Sequence, residues 1–120
     1  MAVDPKGHVI GEFLAGDPDE PVVMLNLLRF VDGGRERYGE YTRAFRETFA
    51  PRYGVELVYA GDGLPALVAE DGQQWDAVLL VRYPTRRAFS QMVADPEYQQ
   101  ITHLRTEALQ EAVLQPTRAW

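Results

Sequence analysis

Apolar side chains run through Pro21–Phe30 on both sides of an extended chain. Val22, Met24, Leu28 and Phe30 share one side, and Val23, Leu25 and Leu27 the other. The pattern predicts a strand covered on both faces. Asn26 and Arg29 are the polar interruptions between Val22 and Phe30. A second segment, Trp75–Tyr83, has the same character. Trp75, Ala77, Leu79, Val81 and Tyr83 lie on one side; Val78 and Leu80 lie on the other with Asp76 and Arg82.

Helical periodicity fills the intervals. Asp4-Pro5 suits an N-cap followed by proline in the first turn, and Val9, Ile10, Phe13 and Leu14 repeat at helical spacing. They predict a helix over 5–15 that packs on the body as an apolar lid. Tyr38, Tyr41, Phe45 and Phe49 recur at spacings of three and four, predicting a helix over 35–53. Pro51 should kink its last turn and Gly54 end it. Val55–Ala60 reads as a strand broken by Gly61-Asp62-Gly63, and Leu64–Glu70 as its continuation or a short edge strand. Asp71-Gly72 is a turn signal before Trp75. Thr85 can cap a helix carrying Ala88, Phe89, Met92 and Val93; Asp95-Pro96-Glu97 starts another turn. Leu104, Ala108 and Leu109 mark a further helix, and Val113–Thr117 a final strand.

The resulting order is β-α-β-β-α-β behind an N-terminal helix, within one domain spanning 1–120 and a core over 21–118. An α+β fold follows, a ferredoxin-like split βαβ sandwich with Val22–Phe30 and Trp75–Tyr83 as parallel central neighbours. Two principal helices cover one sheet face only. A second copy on the open face is the simplest cover for the other, giving a C2 homodimer with a barrel-like core of two sheets.

Composition narrows the chemistry. Net charge is −6, which argues against a nucleic-acid partner. Eleven of the twelve basic residues are arginine, favouring planar, bidentate contacts. With no cysteine, disulfides, thiolate metal sites and cysteine nucleophiles are excluded. His8 and His103 alone could serve as imidazole ligands, and their spacing supports no metal site. No apolar run is long enough to span a membrane, so a cytoplasmic protein is the default expectation.

Three separated motifs carry a resemblance. Val-Val-Met-Leu-Asn-Leu-Leu-Arg-Phe (22–30), Trp-Asp-Ala-Val-Leu-Leu-Val-Arg-Tyr-Pro (75–84) and Asp-Pro-Glu-Tyr-Gln (95–99) followed by His103-Leu-Arg105 resemble the bacterial domain-of-unknown-function family thirteen-thirty. The resemblance runs from about residue 5 to the C-terminus. It implies the dimeric α/β-barrel fold, and it transfers no established activity.

Candidate chemistry centres on Asn26. If Asn26 faces the helices, it lies ~13 Å back along the strand from Phe30. An antiparallel helix covers that distance in about nine residues. Tyr41 and Phe45 would then flank Asn26, with Tyr38 nearer the strand end. The result is an aromatic-walled cleft with an amide at its floor, the usual form of a small-molecule site. The competing reading is a buried amide satisfied by backbone groups, with Tyr38, Tyr41 and Trp75 serving as core or interface. Arg29 and Arg82 sit near the ends of the two central strands, each followed by a helix start. They could form an anion site at one sheet edge, or structural ion pairs with Asp32, Glu36 or Asp76, the favoured alternative. His103, with Arg105 nearby, is the candidate proton-transfer group, against a surface or capping role.

Three functions compete. The first is a small, anionic or aromatic molecule bound in the sheet–helix cleft without a cofactor. The superfamily resemblance implies oxygenase, isomerase or dehalogenating chemistry there, with Asn26 polarising an oxygen and His103 or Tyr41 moving a proton. The second is a non-catalytic binding or sensing module using the same cleft. The third is haem handling, which the superfamily resemblance implies where an Asn and a Trp accompany a helix-borne histidine. Asn26 and Trp75 have places in that pattern, but the helix over 86–94 carries no histidine, which disfavours it.

Overall fold

The doubly apolar segment Val22–Phe30 forms β1, an interior strand of a four-stranded sheet. The structure is a computed structural model and describes residues 2–120. The elements in order are α1 (Gly7–Ala15), β1, α2 (Gly34–Ala44), a π-helical segment (Phe45–Phe49), α3 (Ala50–Tyr53), β2 (Glu56–Asp62), β3 (Ala77–Tyr83), α4 (Arg86–Ala94), α5 (Pro96–Gln99), α6 (Thr102–Ala108) and β4 (Leu109–Thr117). Strand order is β2-β3-β1-β4, and every pairing is antiparallel. This is the ferredoxin-like α+β arrangement, with the helices on one side of the sheet. No helix is long and apolar enough to cross a membrane among the described residues.

The expectation that β1 and β3 run parallel is wrong. Val22 pairs with Tyr83 and Leu28 with Ala77. The helical crossover brings β2 back in the direction of β1, and the connection between β2 and β3 then reverses the chain. Arg29 and Arg82 consequently lie on one face but at opposite ends of the strands. Arg82 is opposite Val23, about 20 Å along the strand from Arg29 at ~3.3 Å per residue. They cannot form one edge cluster.

The face turned toward the helices carries Val22, Met24, Asn26 and Leu28 of β1 with Ala77, Val81 and Tyr83 of β3, all buried. Tyr38, Tyr41, Phe45 and Phe49 cover it from α2 and the π segment, as their spacing predicts. The predicted single helix is divided because Pro51 offers no N–H and its ring would press on the carbonyl of residue 47. A wider turn precedes it, in which the Ala50 N–H donates to the Phe45 carbonyl. Gly34 lets the start of α2 meet the end of α6: a Cβ there would lie 2.2 Å from the Ala108 carbonyl oxygen.

Other boundaries move. β2 runs through Gly61 to Asp62, Leu64–Glu70 forms no strand, and Trp75 precedes β3 instead of opening it. Leu109 starts β4 where the apolar pattern placed the end of a helix. On the face away from the helices, Val23, Leu25 and Leu27 of β1 and Val78 and Leu80 of β3 remain partly exposed. Helix α1 rests on α4, with Phe13 edge-on to Phe89 at 5.7 Å and the Phe13 carbonyl accepting from Arg86 at 2.7 Å.

Candidate functional site

Alternation along β1 turns Asn26 toward the helices, where it is 7% exposed. Its Nδ2 donates to the Met24 carbonyl at 3.3 Å, a long bond. Among the described residues no donor reaches its Oδ1. Asn26 borders a cavity of about 260 Å³ between sheet and helices, together with Tyr41, Tyr98 and Arg105. Phe89 and Leu114 add apolar wall, while Asp4 and Ile10 close the side beneath α1.

Each polar group is placed by local structure. Tyr41 belongs to the aromatic stripe of α2. Tyr98 is presented by α5, where Asp95 caps the turn by accepting from the Glu97 N–H at 2.9 Å and Pro96 opens it. The two hydroxyls lie 2.7 Å apart. Burial pushes Tyr41, Tyr83 and Tyr98 above the ordinary phenol range, and Tyr38 to about 12. All four are therefore neutral donors at pH 7. The Tyr41–Tyr98 hydrogen bond uses one of its two hydroxyl protons, leaving the other for a third acceptor.

Arg105 comes from α6 with its side chain 9% exposed. Its Nη1 donates to the Val3 carbonyl at 2.6 Å and to Asp4 Oδ1 at 3.1 Å. Its Nη2 is buried without a partner. Such a buried, unsatisfied donor is costly unless something binds it. Asp4, also bonded by the Thr106 hydroxyl at 3.0 Å, is a carboxylate on the cavity wall. The inventory is rich in donors: an amide, paired phenols and a guanidinium face apolar walls. It suits a small molecule carrying oxygen acceptors or negative charge beside an apolar ring.

Among the residues named from sequence, Asn26, Tyr41 and Arg105 meet at this cavity. Tyr38 is buried beside it and shares a narrow space with Asn26, Tyr41 and Phe45. His103 is exposed on α6 and lines none of the described cavities. Arg29 and Trp75 meet elsewhere, at one end of the open sheet face, with the guanidinium 4.7 Å from the indole centroid. Arg29 pairs with Glu111 at 3.3 Å and donates to the Gly72 and Gln74 carbonyls. Asp32, Glu36 and Asp76, the partners expected from sequence, do not pair with it. Arg82 is exposed at the far end of that face. Tyr98, Tyr83 and Asp4 were not anticipated at a site. The Asp-Pro cap before Tyr98 was a usable signal; nothing in sequence joins Asp4 to Arg105. Among the described residues no cluster of three or more metal-ligating side chains occurs.

The fold has clear relatives. The chain is similar to the RPA0582 protein of unknown function from Rhodopseudomonas palustris, with 28% identity over 98% of this chain and 96% of that one and a TM-score of 0.88. It is also similar in fold to a dimeric ferredoxin-like protein of unknown function from Jannaschia sp. CCS1, with 13% identity, coverage of 83% and 100%, and a TM-score of 0.62. A putative antibiotic biosynthesis monooxygenase from Bacteroides thetaiotaomicron has 20% identity, coverage of 85% and 91%, and a TM-score of 0.60. No curated protein matches the chain. The family model described as Domain of unknown function (DUF1330) matches residues 29–115, more than half of the chain, from the end of β1 into β4. The chain belongs to the DUF1330 family.

Proposed function

We propose that this protein binds a small aromatic or similarly apolar organic anion in the cavity floored by Asn26. The observation that carries this reading is the convergence on one cavity of Asn26, whose Oδ1 lacks a donor, the Tyr41–Tyr98 hydroxyl pair and the Arg105 guanidinium. A carboxylate or enolate oxygen would satisfy the guanidinium, and a hydroxyl or N–H on the same ligand would satisfy the amide. The volume of about 260 Å³ suits a single-ring molecule. Chemistry of the cofactor-independent oxygenase or isomerase type is consistent with these donors, since Asn26, the tyrosine pair and Arg105 would stabilise charge developing on an oxygen. The fold relative described as a putative antibiotic biosynthesis monooxygenase supports that class by analogy only.

A second reading, binding without turnover, has its own support. The cavity tyrosines are held protonated, and Asp4 is engaged by Arg105 and Thr106. Among the described residues that line the cavity, no unengaged base faces the ligand. Salicylate and its neutral analogue salicylamide separate these possibilities in one experiment. Thermal shift should show stabilisation by salicylate over salicylamide, lost in Arg105→Met. Equal stabilisation of wild type and Arg105→Met by salicylate would overturn the anion site. Mass spectrometry of the incubated ligand then distinguishes turnover from binding.

The assembly is part of the same proposal. Val23, Leu25, Leu27, Val78 and Leu80 present an apolar sheet face with no helix over it. A second copy would cover it, and the Jannaschia relative is described as dimeric. Light scattering should give twice the 13.6 kDa chain mass at micromolar concentration; a monomer would refute this assembly.

A further inference from the structure

A second recess lies on the helix side of the sheet, outside the Asn26 cavity, where α2 stands away from the β2 edge. It is an open groove of about 820 Å³. Its floor is apolar, formed by Phe30, Leu79 and the ring of Tyr38 over the fully buried Leu28. Four small residues make the space: Gly39 on the helix wall, and Ala60, Gly61 and Ala77 on the strands. Gly39 is the telling one. Glycine in the middle of a helix weakens it, and packing does not demand glycine here, because a Cβ at position 39 would have nothing within 4 Å. What its absence leaves is room above the groove.

Charge is distributed unevenly along the rim. Of the arginines on α2, Arg35 pairs with Asp62 at 2.6 Å and Arg37 with Glu107 at 3.0 Å. Arg43 and Arg46 line the groove, and among the described residues neither has a carboxylate partner. Glu47 is the acid on their wall. In a chain of net charge −6, two uncompensated guanidinium groups one turn apart form a local anion-binding feature. From Arg35 to Arg46 the helix extends about 16 Å at ~1.5 Å per residue, so the groove is long as well as wide.

We propose that this groove is a second binding site, one that takes an elongated apolar monocarboxylate. The alkyl chain lies on Phe30 and Leu79, and the carboxylate sits between Arg43 and Arg46. The groove is separate from the Asn26 cavity. The space between them, bordered by Tyr38, Arg46 and Asn26, is about 40 Å³, room for about one water and too narrow to pass a ligand.

Isothermal titration with decanoate, and with decan-1-ol as the uncharged control, tests the proposal. Saturable binding of decanoate is expected, at least tenfold tighter than decan-1-ol. Arg43→Ala/Arg46→Ala, at exposed positions, should weaken decanoate at least tenfold. Gly39→Leu should fill the groove and weaken both ligands, while circular dichroism shows an intact helix. Arg105→Met, at a residue that does not line the groove, should leave decanoate affinity unchanged, so this site and the Asn26 cavity can fail independently. Absence of saturable decanoate binding, or equal affinity in wild type, the arginine double variant and Gly39→Leu, would overturn the groove site. Loss of decanoate binding in Arg105→Met alone would move the ligand to the Asn26 cavity and overturn it as well.

Discussion

Replacing Asn26 with leucine should make this protein more stable and unable to bind its ligand. Asn26 is 7% exposed, yet its amide makes one long hydrogen bond and its carbonyl oxygen has no donor. A buried polar group with most of its hydrogen bonds unmade costs roughly 1–3 kcal/mol relative to an apolar group. Leucine is close in size, and the adjoining cavity of about 260 Å³ gives its methyl groups room. Overpacking, which costs about 1–3 kcal/mol in a filled core, is therefore avoided. The expected gain is about 1–2 kcal/mol, raising Tm by roughly 5 °C in a domain of this size. Differential scanning calorimetry measures the first effect, and the salicylate shift measures the second. Destabilisation of about 1 kcal/mol or more would mean that the amide is satisfied in the fold, and the reading of Asn26 as a ligand group would fail. A stable variant that still responds fully to salicylate would remove Asn26 from the site.

Other expectations follow from specific contacts. Gly34→Ala forces a Cβ against the Ala108 carbonyl and should cost about 1–3 kcal/mol in urea denaturation; an unchanged midpoint would show that α2 and α6 are free to part. Hydrogen bonding to Arg118, then to Arg86, lowers Glu20 from 4.5 to about 2. Its folded pKa is depressed, so its stabilisation is present above pH 4.5 and lost as pH falls toward 2. Glu20→Gln should flatten the stability profile across that window, and an unaltered slope between pH 5 and 2.5 would contradict the assignment. Leu25→Asp or Leu80→Asp places a charge on the open sheet face and should convert a dimer to a monomer in light scattering, leaving the helix-side cavity intact.

Element types were legible because each was written locally. Alternation on both sides of 22–30 marks an interior strand, and the three- and four-residue spacing of Tyr38, Tyr41, Phe45 and Phe49 marks a helix that buries one stripe. Two of three caps were legible for the same reason: Thr85 accepts from the Ala88 N–H at 2.9 Å, and Asp95 from the Glu97 N–H. Asp4 does not cap α1, which starts at Gly7, because its carboxylate accepts from Arg105 and Thr106. Even the side of β1 on which Asn26 lies followed from period two once the helix face was identified. Boundaries were less accessible. Gly61 signalled a break but stays within β2, because pairing with Val78 holds it in the strand. Leu109 looked helical but pairs with Phe30 in β4.

What only the tertiary structure decided was which distant segments meet. Strand direction is a property of connections, and a local pattern is the same read either way, so the misplaced parallel pairing also misplaced Arg29 beside Arg82. Arg105 was nameable from sequence, but its cavity was not, since Asp4 and Val3 reach it across the whole length of the chain. Tyr98 joins Tyr41 from an element that sequence places far away. The unbonded Arg43 and Arg46 became notable only when Arg35 and Arg37 were seen to have partners on other elements. By itself the sequence determined the strands, the helices and the faces they bury, because hydrophobic periodicity acts between near neighbours. The site is a long-range property, set by which side chains the sheet order and helix packing bring within hydrogen-bond distance.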